Sequence, residues 1–243
     1  MEQVQNTGSV SAKITSKFLG IVFLYLFIGL LLTALSSFVF AFFMAQIINA
    51  NPDFGFAVIL GTSIGAFVLS YVITIINSIY SSKTGKAPWV GFILYALCMG
   101  IGFSLILLAG VDFATIGEAF ALTALCFLIM FFIGYFSKSD LSPFLFMGIS
   151  ILIGIGLLCA FWFIFYLIFP EMFTWLDVGI SVGIVIACLL FIGFEANQMG
   201  KIAESGQGNN NLALFCAFNL YTNFISLFTR ILYLILISRS RKR

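Results

Sequence analysis

The sequence predicts an all-α integral membrane protein, a seven-transmembrane helix bundle with the last helix central. Three observations carry that prediction. Of 243 residues, 62% are hydrophobic and only 8% charged, a balance outside that of soluble domains. Seven apolar runs are each long enough to cross a hydrocarbon core, which takes about 20 residues of helix, and short polar connectors separate them. No run alternates as a membrane-barrel strand would, and backbone groups in lipid must be satisfied within their own segment, so the runs read as helices.

Residues 1–17 form a short polar segment, and 18–45 is the first helix. That run is far longer than a signal-peptide core of about 7–15 residues, so it reads as retained. The second run, 55–80, holds Gly61-x-x-x-Gly65, a spacing that lets helices approach closely. Trp89 opens the third run, 89–110, where an interfacial anchor belongs. Before the fourth, 115–136, the stretch Thr115 to Glu118 (TIGE) has the form of a capping box, which would account for Glu118. Ser142-Pro143 supplies a cap and a first-turn proline for the fifth, 144–169. Trp175 precedes the sixth, 178–198, which carries Gly179-x-x-x-Gly183 and ends on FEANQ. The seventh, 211–238, leads to a basic tail at 239–243, read as a membrane-surface feature.

Charge placement sets the orientation. Lys13, Lys17, Lys83, Lys86, Lys138 and Lys201 fall on connectors of one side, whereas Asp53, Asp112, Glu171 and Asp177 occupy the other. The positive-inside rule then makes the N-terminus cytoplasmic, in a plasma membrane. Seven crossings leave the basic tail outside; six crossings and a re-entrant last segment would return it. A last run of 28 residues is about 42 Å long as a helix, which favours seven.

Composition also excludes chemistry. Histidine is absent, which removes histidine-based nucleophile pairs, zinc sites and pH switches. Cys98, Cys126, Cys159, Cys188 and Cys216 lie in apolar runs with no metal or disulfide spacing and read as core residues. A net charge of +2 gives no case for nucleic acid. No cofactor is expected, and every aspartate lies in or beside a connector, which argues against an intramembrane protease and against an enzyme generally.

Polarity inside the spans gathers on the last helix. Asn219, Asn223, Ser226 and Arg230 are spaced by four, three and four, one stripe of a helix. Such a stripe must face protein or water, so the last helix should be surrounded by the others. Glu195, Asn197 and Gln198 stand at the end of the sixth run, and the connector GKIAESGQGNN returns the chain on the same side, so Glu195 and Asn223 can meet. On one reading these groups close the mouth of an ion path. On the other, Glu195 snorkels to the headgroups and the asparagines bond neighbouring helices. Arg230 either pairs with an acid or turns outward; at about 10 Å along the helix from Asn223 it is too far to neutralise Glu195 directly.

Several motifs stand in order along the chain: Tyr95 with Gly102-Phe103-Ser104-Leu105, EAF at 118–120 with Thr123, KSDLS at 138–142, FEANQM at 194–199 and LYTNFISLF at 220–228. Together they resemble the transmembrane Bax-inhibitor-motif family, particularly its small bacterial members. The resemblance implies a seven-helix bundle with a central last helix and a pH-sensitive calcium leak, gated by two aspartates that share a proton. Glu195 and Asn223 occupy those two positions here, so the like-charge coupling of a carboxylate pair is missing. The arginine that the bacterial proteins carry near the end of helix two has no counterpart around Ile79 to Lys86.

The expectation is therefore a calcium leak channel, with Glu195 and Asn223 as the pair through which pH could modulate it. Calcium takes about six to eight oxygen ligands, and a single carboxylate, Glu195, would hold it only weakly and transiently. The alternative, resting on the resemblance alone, is a non-conducting regulatory protein that binds membrane proteases or cell-death factors.

Overall fold

The computed structural model describes residues 2–84, 88–168, 173–206 and 208–240. Lys86, Glu171, Arg241, Lys242 and Arg243, and the side chains of Lys13 and Trp175, lie outside the described residues. Every described element is an α-helix: α1 (Glu2–Ala50), α2 (Pro52–Thr84), α3 (Trp89–Leu108), α4 (Phe113–Phe136), α5 (Ser142–Ile168), α6 (Phe173–Glu204) and α7 (Asn210–Ser240). Each of the seven is long and apolar enough to cross a membrane. The chain is a multi-pass membrane protein.

Helix ends differ from the sequence expectation where tertiary partners decide them. The polar residues from Glu2 onward continue α1. Because α4 begins at Phe113, Thr115 lies inside its first turn and the TIGE capping box does not form. FEANQ does not end α6, which runs on to Glu204. Glu195 is thereby nine residues inside the helix end, about 14 Å at 1.5 Å per residue. α3 stops at a turn through Gly110, whose φ of +72° lies in the left-handed region that glycine enters without penalty. Asn209 Oδ1 accepts the Leu212 N–H at 2.8 Å and caps α7. α7 is unbroken through 31 residues, which removes the re-entrant alternative.

Two compact units divide the chain. The first comprises α1, α2, α3 and Gly206–Tyr221; the second runs from Phe113 to Ser205 and resumes at Thr222. In the first, Gly29 on α1 sits where a Cβ would meet Phe92 at 2.9 Å and Tyr221 at 3.3 Å, so its missing side chain makes room for an aromatic cluster. Phe92, Tyr95, Phe218 and Tyr221 form that cluster, with Tyr95 and Tyr221 edge-on at 5.5 Å and fully buried. The Thr33 hydroxyl donates to Gly29 O at 2.9 Å and accepts the Tyr221 hydroxyl proton. Trp89, half-exposed, packs edge-on against Tyr25 at 4.9 Å.

In the second unit α4 and α6 meet backbone to backbone: a Cβ on Gly134 would lie 2.2 Å from the Gly193 carbonyl oxygen. α7 continues here with Phe224 packed on Phe120 and Phe127, both at 5.5 Å. Ala213, Ala217, Leu220 and Tyr221 of α7, in the first unit, and Leu227, in the second, show no exposure. α7 thus contributes fully buried residues to each unit, while long rows of α1, α2 and α5, such as Phe27, Phe42, Val68 and Ile153, turn outward to lipid.

Candidate functional site

The polar residues of the second unit are placed by the close approach of α4 and α6. With Gly134 against Gly193, the next turn of α6 reaches the point where α4 ends. Asn197 takes that place, 2% exposed. Its Nδ2 donates to Ser137 O at 2.8 Å and to Gly134 O and Ser139 O at 3.3 Å, joining α6 to the end of α4 and to the connector that follows. Asn197 was expected beside Glu195 in an ion path. Two residues apart on a helix point to different faces, and its amide is instead committed to holding α4, α6 and their connector together.

Glu195 faces α7. It is half-buried, and the Asn223 side chain hydrogen-bonds its carboxylate. The Oε2 atom is buried and has no hydrogen-bond partner among the described residues. Gln198 lies one turn further along the same face and is half-buried. In the other direction, Cys188 stands seven residues before Glu195, buried and within electrostatic reach of both Glu195 and Arg230. Arg230, half-buried, makes no ion pair among the described residues. Its register, seven residues beyond Asn223, matches that of Cys188 and sets it about 10 Å further from the Glu195 level.

The depth of Glu195 follows from its neighbours. Asn197 marks the level at which α4 leaves the helical conformation, and Glu195 is two residues before it, about 3 Å along the axis. The carboxylate therefore sits just below the shelf formed by the end of α4, not at the helix terminus.

The remaining stripe residues divide. Ser226 donates to its own helix at Thr222 O, 2.9 Å away, so its hydroxyl is satisfied and does not join Glu195. Asn219 is half-buried and belongs to the first unit. Within the second unit Asn223 is the stripe residue whose hydrogen bond to the acid is seen among the described residues.

Glu118 is the clearest correction. With no capping box to serve, its carboxylate pairs with Arg239 at the end of α7, and Arg239 Nη1 donates to Thr115 Oγ1 at 2.6 Å. Arg239 is thus not only a surface charge; it ties the end of α7 to the start of α4. Asp140, expected as a solvated connector residue, accepts from Lys201 Nζ at 2.9 Å and from the Ser142 hydroxyl at 3.0 Å. The Lys201 ammonium, then the Ser142 hydroxyl, hold its carboxyl below the usual carboxylate range. These partners are 61 and 121 residues apart, and nothing in local spacing announces them.

Around Glu195 the oxygen donors are few. Among the described residues no three of His, Cys, Asp and Glu come together, so a cation at this acid would keep most of its water.

Compared with known families, residues 15–241 match a family model described as inhibitor of apoptosis-promoting Bax1. No curated protein matches the chain.

Proposed function

We propose, for a chain that belongs to the Bax inhibitor family by a match over residues 15–241, that it is a membrane calcium leak whose gate is the Glu195–Asn223 contact. One observation carries the reading: an α6 carboxylate is bonded on one side by an α7 amide and left with a buried, unpartnered oxygen on the other. Buried polar atoms without partners are costly. That oxygen is where a proton or a passing cation would be held, and a change in occupancy would alter the bond between the two helices. The lysine asymmetry of the connectors supports a cytoplasmic N-terminus, and the resemblance to small bacterial proteins supports a bacterial plasma membrane.

Calcium entry into dye-loaded proteoliposomes tests the proposal. Glu195→Ala removes the gate and should change the flux about tenfold or more, the effect of about 1.4 kcal/mol; a rate equal to the parent's discards the gating role. Asn223→Asp places two carboxylates in contact. Such a pair does not readily ionise twice and titrates in coupled steps, so this variant should gain a steeper pH dependence of flux than the parent shows. An unchanged profile counts against the contact as the control point.

The family description, inhibitor of apoptosis-promoting Bax1, supports the cell-death half of a second reading, a non-conducting regulator that binds membrane proteases or cell-death factors. A stable co-purifying partner, together with flux no greater than through empty liposomes, would favour it.

A further inference from the structure

We propose that a cleft at the C-terminal ends of α4 and α6 binds the headgroup of a phospholipid bearing a primary ammonium, of the phosphatidylethanolamine type. This site is independent of the calcium reading. The cleft has a volume of about 390 Å³ and is lined by Tyr135, Ser137, Lys138, Asn197, Lys201 and Glu204. That lies within the range of small-molecule sites, roughly 300–1,000 Å³.

Its chemistry is specified by what is already spoken for. Lys201 is held by Asp140 at 2.9 Å. Lys138 and Glu204, both exposed, remain as one cation and one anion on the walls. Among the lining residues Asn197 contributes a third demand: it is 2% exposed, its Nδ2 is committed to three carbonyls, and its Oδ1 is buried with no partner. The cleft therefore asks for a negative group, a positive group and an N–H or O–H donor.

Simpler ligands meet only part of that demand. A free phosphate would answer Lys138 and has an O–H for Oδ1, but it is repelled by Glu204 and supplies no positive group. A divalent cation would suit Glu204 and Oδ1 but face two lysines. A choline headgroup is zwitterionic yet has no N–H to donate. An ethanolamine phosphodiester places its phosphate on Lys138 and its ammonium between Glu204 and Asn197 Oδ1, meeting all three. Acyl chains also have a place to go: Phe136, on the rim, is 71% exposed, an apolar surface at the helix end where interfacial side chains gather.

Native mass spectrometry of the full chain in neutral detergent, titrated with ethanolamine, choline and glycerol phospholipids of identical acyl chains, tests the assignment. The ethanolamine lipid should bind about fivefold more tightly than either of the others, equivalent to about 1 kcal/mol or one hydrogen bond. Glu204→Gln, an exposed change that leaves packing intact, should abolish the preference, Lys138→Gln should weaken all three lipids alike because each carries the phosphate, and Lys83→Gln should leave both affinity and preference untouched. Equal affinity for ethanolamine and choline lipids would overturn the proposal, as would a preference that survives Glu204→Gln, an unchanged affinity in Lys138→Gln, or a glycerol lipid that binds as well. Displacement by free phosphoethanolamine at matching concentration would assign the cleft to a soluble ligand and overturn the lipid.

Discussion

The unit built on α1, α2 and α3 has no ion pair among its described residues and buries its polarity mostly as hydroxyls, Thr33, Ser37, Ser63, Ser70 and Ser104. The unit built on α4, α5 and α6 has two ion pairs, a half-buried carboxylate and an amide gripping three carbonyls. The difference lies in whom each polar group serves. Thr33, Ser70 and Ser104 bond carbonyls of their own helices at Gly29, Phe67 and Ile101, a local bond that needs no neighbour. Asn197, Glu195, Lys201 and Arg239 all bond a different element. A displacement of α6 would break the bonds of Asn197, Glu195 and Lys201, and one of α7 those of Glu195 and Arg239, while Thr33, Ser70 and Ser104 would each keep the bond to their own helix. The first unit crosses between helices through hydroxyls, Thr33 with Tyr221 and Ser36 with Leu97 O, whereas the charged and amide cross-links lie in the second unit, beside the acid that the proposed function uses.

The contrast is sharpest in two substitutions. Asn197→Leu keeps the volume and removes the donor for Ser137 and Ser139, while Gly134 O keeps the Ser137 N–H, so it should destabilise by about 2 kcal/mol, the cost of leaving part-buried acceptors unpaired. Tyr221→Phe removes the hydroxyl bond to Thr33 but leaves Thr33 bonded to Gly29 and the ring in its cluster; it should cost about 1 kcal/mol. Thermal unfolding of both variants in the same detergent checks the order. A larger loss for Tyr221→Phe would reverse the comparison and make the first unit the more tightly coupled one.

Sequence and structure agree wherever burial alone decides. Apolar runs located all seven helices, because a segment that must satisfy its backbone in lipid leaves little choice of conformation. Spacing brought Asn223 to the acid-facing side of α7, because a helix repeats predictably over four or seven residues. Roles that depend on a partner far along the chain were not legible. Glu118 looked like a capping residue because Thr115 stands three positions before it; its true partner is Arg239, 121 residues away. Asn197 looked like a companion of Glu195 because the two are adjacent in sequence, yet the end of α4 claims it. The end of α6 was misread for a related reason: polar residues after Phe194 signal a terminus only if nothing packs beside them, and here Tyr135, Gly134 and the α4–α5 connector do.

The smallest expected effect isolates the connector itself. The Asp140 side chain is 66% exposed, so its bond to Lys201 is screened and contributes little on its own. Its carboxyl is held below the ordinary value of 3.8, so the stabilisation it lends is fully present above that pH and is lost as pH falls through the lowered value. Asp140→Asn should therefore lower thermal stability slightly at neutral pH, and the gap from the parent should close in strong acid and shrink with added salt. A gap that persists in acid would mean that Ser142 and the start of α5, not the Lys201 ammonium, are what Asp140 serves. In that event the α4–α5 connector would be joined to α6 by Asn197 alone, and the cross-element bonding that distinguishes the second unit would rest on one amide rather than on an amide and a charge.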